Sequence, residues 1–270
     1  MILNWRQKER CQIARICLQG PIVKSVREWM LSALDEIEEE GISAILLRID
    51  SPGGTIVDSQ EIHAALLRLR DKGCKIVASF GNVSASGGVY IGMAAEKIVS
   101  NPGTITGSIG VILRGNNLAK LLDRIGIQFE TVKSGLYKDI LSPDRDLSSA
   151  ERSILQELID SSYKQFVAAV AQARGLTEEE VQTFGDGRIF SGAQALELGL
   201  VDALGDEETA LQLLAQMADI NVNLAKPLYF TRPSNKIKQF RRNSSVFDQI
   251  QSALSLELAW SGQALWLYCP

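Results

Sequence analysis

The sequence predicts an α/β fold built on a mostly parallel β-sheet, and three observations carry that reading. Short apolar runs alternate with amphipathic stretches of helical length through the first half of the chain. Strands separated by helices of that length imply right-handed βαβ units. Two glycine-rich turns, DSPGG (residues 50–54) and SASGG (residues 84–88), each follow directly on an apolar run, where a parallel sheet gathers its ligands.

In chain order, Gln12 to Gln19 reads as a strand, and Ser25 to Glu40 as a helix with Ser25 and Glu28 spaced as a capping box and Gly41 ending it. Ile42 to Asp50 is a second strand, Val57 to Lys72 an amphipathic helix closed by Gly73, and Lys75 to Phe80 a third strand. Gly87 to Ala95 reads as a helix of small residues, Lys97 to Ser100 as a short strand, and Asn101 to Gly110 as a glycine-rich turn. A strand, a helix and a strand are expected from there to Gly135. Ser148 to Arg174 is one long helix with a capping-box spacing at Ser148 and Glu151, and the pair Thr177 and Glu180 starts another. The chain shows neither an internal repeat nor a long low-complexity linker.

With 270 residues the chain can bury a sizeable core. A net charge of −4 lacks the basic excess of a nucleic-acid-binding protein, so no nucleic-acid partner is expected. Cys11, Cys17, Cys74 and Cys269 are scattered with no CxxC pair, which suggests reduced thiols and no metal site. Met1 to Arg10 is too polar for a secretory signal, and no run of about 18 to 20 apolar residues marks a transmembrane helix. A cytoplasmic protein is expected.

The chemistry centres on GNVSASGGVYIGM, residues 81–93. A strand, a sharp turn and a helix start are stacked around Ser86, and helix N-termini offer unpaired N–H groups and positive partial charge to a developing oxyanion. Taken alone, the stretch serves equally to let a helix pack closely on a strand. DSPGG should face the same crevice, with Pro52 stiffening the turn and Gly53 and Gly54 allowing an N–H to point inward; by itself it is an ordinary tight turn. With the N–H of Gly87 it would make a two-donor oxyanion hole, each donor contributing about 3 kcal/mol to transition-state stabilisation. The only histidine, His63, lies inside a helix with nothing to aim it at Ser86, which argues against a Ser-His-Asp triad. Lysine is the remaining common base for serine, and it must be desolvated, since at its reference pKa only about one lysine in 2,500 is neutral at pH 7. The physical argument does not select one of the 28 basic residues.

SPGG, SASGGVY, TGSIGV (106–111), KSGLYKDILSPDR (133–145) and GRIFSGAQALELGLVDALG (187–205), in that order and spacing, resemble the bacterial signal peptide peptidase A family. The resemblance covers about Ala14 to Leu204. It implies a ClpP/crotonase-like spiral of βαβ units, here residues 1–230, and Ser-Lys peptidase activity without a cofactor. It also implies roles by position: Ser86 as nucleophile, Lys138 as general base, Ser108 orienting the lysine amine, and Gly87 with Gly53 and Gly54 as oxyanion donors, Gly54 preferred. Relatives can share serine and lysine between copies of the fold, so a homo-oligomer with shared active sites acting on peptides is implied. A crotonase-type acyl-CoA enzyme and a non-catalytic ring-forming scaffold are the rival readings.

Two departures stand out: the N-terminal membrane anchor common in relatives is absent, and Val89 stands where an aromatic residue is frequent. Residues 231–270 read as a helical C-terminal extension. A basic cluster, Arg232 to Arg242, precedes an amphipathic stretch, Ser245 to Leu258, and then Trp260, Trp266 and Tyr268. Peripheral contact of 232–268 with an anionic membrane surface on the inner face, core or subunit packing, and a tail entering an active site all suit this pattern.

Overall fold

A computed structural model describes residues 13–221, 227–232 and 264–268. Within them the chain forms two compact units, one of residues 13–110, 163–221, 227–232 and 265–268, the other of residues 111–162 and 264.

The first unit carries the sheet. Strand β1 (Ile13–Gln19) leads through helix α1 (Lys24–Glu39) to β2 (Ala44–Ser51), the short β3 (Gly53–Thr55), helix α2 (Ile56–Asp71) and the long β4 (Lys75–Ala85). Helix α3 (Gly87–Gly92), β5 (Lys97–Ser100) and β6 (Ile105–Gly107) follow. The second unit holds β7 (Ile112–Leu113), helix α4 (Ala119–Arg124) and the start of helix α5 (Ser149–Arg174), whose later residues return to the first unit. There follow α6 (Glu178–Phe184), β8 (Ile189–Ser191), α7 (Gly192–Glu197), β9 (Ala203–Leu204), α8 (Glu207–Met217), β10 (Leu228–Phe230) and β11 (Ala264–Leu267).

Strands β10, β1, β2, β4, β5 and β9 lie side by side, every neighbouring pair parallel, as the alternation of strands and helices requires. β2 is apolar on both faces from Ala44 to Leu47, all four buried, because both faces are covered there. On one face Ile13, Ala44, Leu46, Val77 and Val99 pack against Ala210, Leu214 and Ala215 of α8. On the other, α3 comes close to Ile49 and Phe80, which it can do because Gly88 and Gly92 carry no side chain there.

Strand β4 extends five residues past the apolar run. Its first part pairs with β2 and β5; beyond it β2 keeps the pair Ser51 and Ser84, and β6 takes the place of β5 along Val83 to Ala85, parallel and in the register Ala85 to Gly107. The Oγ1 of Thr104 donates to the Gly81 carbonyl and that of Thr106 to the Ser84 carbonyl, both at 2.7 Å, fastening β6 to β4.

The Ser148/Glu151 and Thr177/Glu180 boxes form, each with the reciprocal backbone bonds. The Ser25/Glu28 box does not. Val23, in extended conformation, is the N-cap of α1, so Ser25 is already helical; its Oγ accepts from Arg232 Nη2 at 2.8 Å, and Glu28 faces Lys24 and Arg27. The strand expected after α4 is also missing: Ile127, Phe129 and Val132 stand exposed in residues without strand pairing. The amphipathic stretch 245–258 and Trp260 lie outside the described residues. Trp266 belongs to a strand, β11, rather than to a helix, and it is fully buried. Among the described residues no helix is long and apolar enough to cross a membrane.

Candidate active site

Ser86 sits between β4 and α3 with φ 53° and ψ −117°, a left-handed conformation uncommon outside glycine. The neighbouring strand holds it there: its N–H donates to the Gly107 carbonyl at 2.9 Å, and its carbonyl accepts the Tyr90 N–H at 3.0 Å one helical turn on. The residue is 1% exposed, and its Oγ has no hydrogen-bond partner among the described residues. A buried hydroxyl without a partner is costly, and groups left this way cluster where a reaction uses them.

Ser108 repeats the arrangement on the adjacent strand. It follows Gly107 as Ser86 follows Ala85, has φ 52°, is 8% exposed, and donates its N–H to the Arg188 carbonyl at 2.7 Å. Two neighbouring parallel strands thus end in left-handed serines at one end of the sheet.

The SPGG turn lies against the same place. Gly53 has φ +99°, and a Cβ built on it would lie 2.7 Å from Gly87 N, so only glycine fits. Its N–H donates to Ser51 Oγ at 3.1 Å and its carbonyl accepts the Ile22 N–H at 2.8 Å. Gly54 is pressed on the Ile22 backbone, where a Cβ would lie 2.0 Å from the carbonyl oxygen. The first unit thus brings together Ser86, Gly87, Gly53, Gly54 and Ser108.

Lys138 belongs to the second unit, on an exposed turn where its N–H donates to the Gly135 carbonyl at 3.2 Å. That turn is fastened by Asp139, which accepts from Arg145 and from Lys133, the latter at 2.6 Å. These bonds lower the Asp139 pKa to about 2. Arg145 also holds Glu151, whose carboxyl is pushed below the usual carboxylate range. No side-chain hydrogen bond or ion pair of Lys138 occurs among the described residues.

His63 packs on Tyr90, ring centroids 4.7 Å apart, and burial, aided by the Arg70 charge, lowers its pKa to about 4. It is a neutral packing residue near neutral pH. The aromatic group it joins escaped sequence reasoning: Tyr90, one turn from Ser86, has Trp266 at 4.2 Å and Phe166 at 5.4 Å. The short apolar, aromatic-rich run ALWLY at residues 264–268 was the signal for the strand that brings Trp266 there. Among the described residues no cluster of side chains is arranged to hold a metal ion.

The fold is similar to that of a ClpP1 mutant from Listeria monocytogenes, with a TM-score of 0.50 at 19% identity, covering 71% of this chain and 91% of that one. That likeness shows the fold, and within it a buried serine at positive φ lies beside a glycine cradle. The profile of peptidase family S49 matches residues 68–221, and the chain belongs to that family. It is 50% identical over 277 residues to the Synechocystis protein named "Putative protease slr0021", covering 99% of this chain and all of that one. It is 33% identical to the chloroplastic serine protease SPPA of Arabidopsis thaliana, over 82% of this chain but only 33% of the longer plant protein.

Proposed function

We propose that the protein is a Ser-Lys endopeptidase that degrades signal peptide remnants and other unfolded or membrane-derived peptides, working as a homo-oligomer in which Lys138 of one copy serves Ser86 of its neighbour. The observation that carries the reading is the unpartnered, buried Oγ of Ser86 beside Gly87 and the Gly53-Gly54 turn. The exposed turn of Lys138, with no side-chain partner among the described residues, favours sharing between subunits.

In this scheme the neutral amine of Lys138, oriented by the Ser108 hydroxyl, takes the Ser86 proton. The alkoxide attacks the peptide carbonyl carbon, and the N–H groups of Gly87 and of the Gly53-Gly54 turn, Gly54 foremost, hold the oxyanion. Lys138 returns the proton to the leaving amine, and water hydrolyses the acyl-enzyme by the same route. Neither metal nor organic cofactor enters.

The test compares casein hydrolysis by wild type, Ser86→Ala and Lys138→Ala, with oligomer mass followed by light scattering. Each variant should lose about 10³-fold or more in kcat. Mixing the two inactive variants should restore part of the rate, since some mixed interfaces pair an intact serine with an intact lysine. Equal rates in all three proteins, as a scaffold or an acyl-CoA enzyme with incidental hydrolysis would give, sink the dyad.

A further inference from the structure

Both peptide planes that flank Gly54 are held by one residue, Ile22. The Gly53 carbonyl accepts the Ile22 N–H at 2.8 Å, and the Thr55 N–H donates to the Ile22 carbonyl at 3.0 Å. In a trans peptide the N–H points opposite to the carbonyl of the same plane, so the first of these bonds turns the Gly54 N–H away from Ile22. The direction of the preferred oxyanion donor is therefore set by the backbone of Ile22, which lies just ahead of α1.

Thr55 is tied from the other side. It is the N-cap of α2, yet its hydroxyl caps no helical N–H; it donates to the Asp58 carboxylate. Its own N–H has gone to Ile22. In a capping box both groups serve the helix start, so here the cap chemistry is diverted to the turn. The Thr55 carbonyl accepts from Ser59 Oγ at 2.9 Å, and Ser59 is fully buried. Asp58, itself buried, lies 3.2 Å from Nη1 of Arg27, whose Nε is 3.2 Å from Glu61. Arg27 belongs to α1, so a ring closes from Ile22 through α1, Arg27, Asp58 and Thr55 back to Ile22, and Gly54 is the residue it grips. A buried ion pair of this kind adds little to stability over apolar packing, and its best-attested use is to fix geometry.

Resting on the peptidase reading above, we propose that Arg27, Asp58 and Thr55 are positioning residues for the oxyanion. They act through Gly54 and not on the substrate. By holding Thr55 and Ile22 together they keep the Gly54 N–H aimed at the charge that develops on the peptide oxygen. That charge exists in the transition state and not in the bound peptide, so loosening the ring should lower kcat and spare KM.

Three variants test this. Thr55→Val keeps the shape of the side chain and removes the hydroxyl, Asp58→Asn removes the charge that holds Arg27, and Thr55→Ser keeps the donor. In peptide hydrolysis the first two should lose about 10- to 100-fold in kcat with KM within about twofold of wild type, while Thr55→Ser stays within about threefold in kcat. A peptide aldehyde takes the Ser86 oxygen onto its carbonyl carbon, so that its own oxygen becomes the oxyanion and the serine proton passes to Lys138. Its inhibition should weaken by the same factor as kcat. Amide exchange at Gly54 and Thr55 should quicken in Thr55→Val and Asp58→Asn while α1 and α2 keep their protection, which separates a loosened turn from a failing fold. An equal loss of kcat in Thr55→Ser and Thr55→Val, a change in KM alone, or unaltered exchange at the turn overturns the proposal. Faster exchange at the turn with no hydrolysis by wild type refutes the peptidase reading, while the ring stands as the holder of the turn.

Discussion

Between pH 7.5 and pH 5, acidification should destabilise this protein through His63. Burial against Tyr90 and the charge of Arg70 lower its pKa from 6.5 to about 4, so the fold holds the neutral ring. The unfolded chain therefore takes up the proton first. Stability from this group is complete above about pH 6.5 and drains as the pH falls toward 4. At about 1.4 kcal/mol per pH unit the full effect is about 3 kcal/mol, of which about 2 kcal/mol is lost between pH 7.5 and pH 5. Urea denaturation at a series of pH values measures it, and His63→Phe, which keeps an aromatic ring and cannot titrate, should lose about 2 kcal/mol less over that interval. Since His63 is the only histidine in the chain, its imidazole proton resonance can be followed without assignment. A titration midpoint near 6.5, or the same pH dependence in both proteins, refutes the burial argument and returns His63 to the candidate bases.

Gly53→Ala forces a side chain into a left-handed site against backbone atoms, which costs about 1–3 kcal/mol. It should reduce kcat/KM at least tenfold in peptide hydrolysis while the oligomer mass is unchanged. The depressed pKa of Asp139, caused by its bonds to Arg145 and Lys133, means that the 133–145 turn is secured above about pH 4 and loosens as the pH falls to about 2. Pepsin should nick that segment increasingly over this range in wild type, and already at pH 4 in Asp139→Asn.

The fold was legible because its evidence is local. Apolar runs and caps marked β1, β2, α2 and α5 to within a few residues, since each element buries a periodic face. The turn at Ser86 stood out only in the company of the other motifs, because by itself a serine among small residues after a strand serves equally to let a helix pack closely. Three things were not legible. The second half of β4 is polar, NVSA, and is a strand because β6 lies beside it, a long-range pairing that periodicity does not register. Ser25 has cap chemistry, but the chain turns helical before it, so the backbone conformation of Val23 overrode the motif. The aromatic pocket joins residues 63, 90, 166 and 266, and no window of sequence holds them together.

The shared ending of β4 and β6 has a consequence for how such a site can change over time. Ser86 and Ser108 are separated by a hydrogen-bonding register, Ala85 to Gly107, and a register has no intermediate values. A slip of one residue would displace one serine by about 3.3 Å and turn every side chain of β6 to the opposite face. The spacing of the two hydroxyls therefore behaves as a digital setting. Gradual mutation can vary the pocket walls and the loops around it, but it cannot nudge these two residues apart.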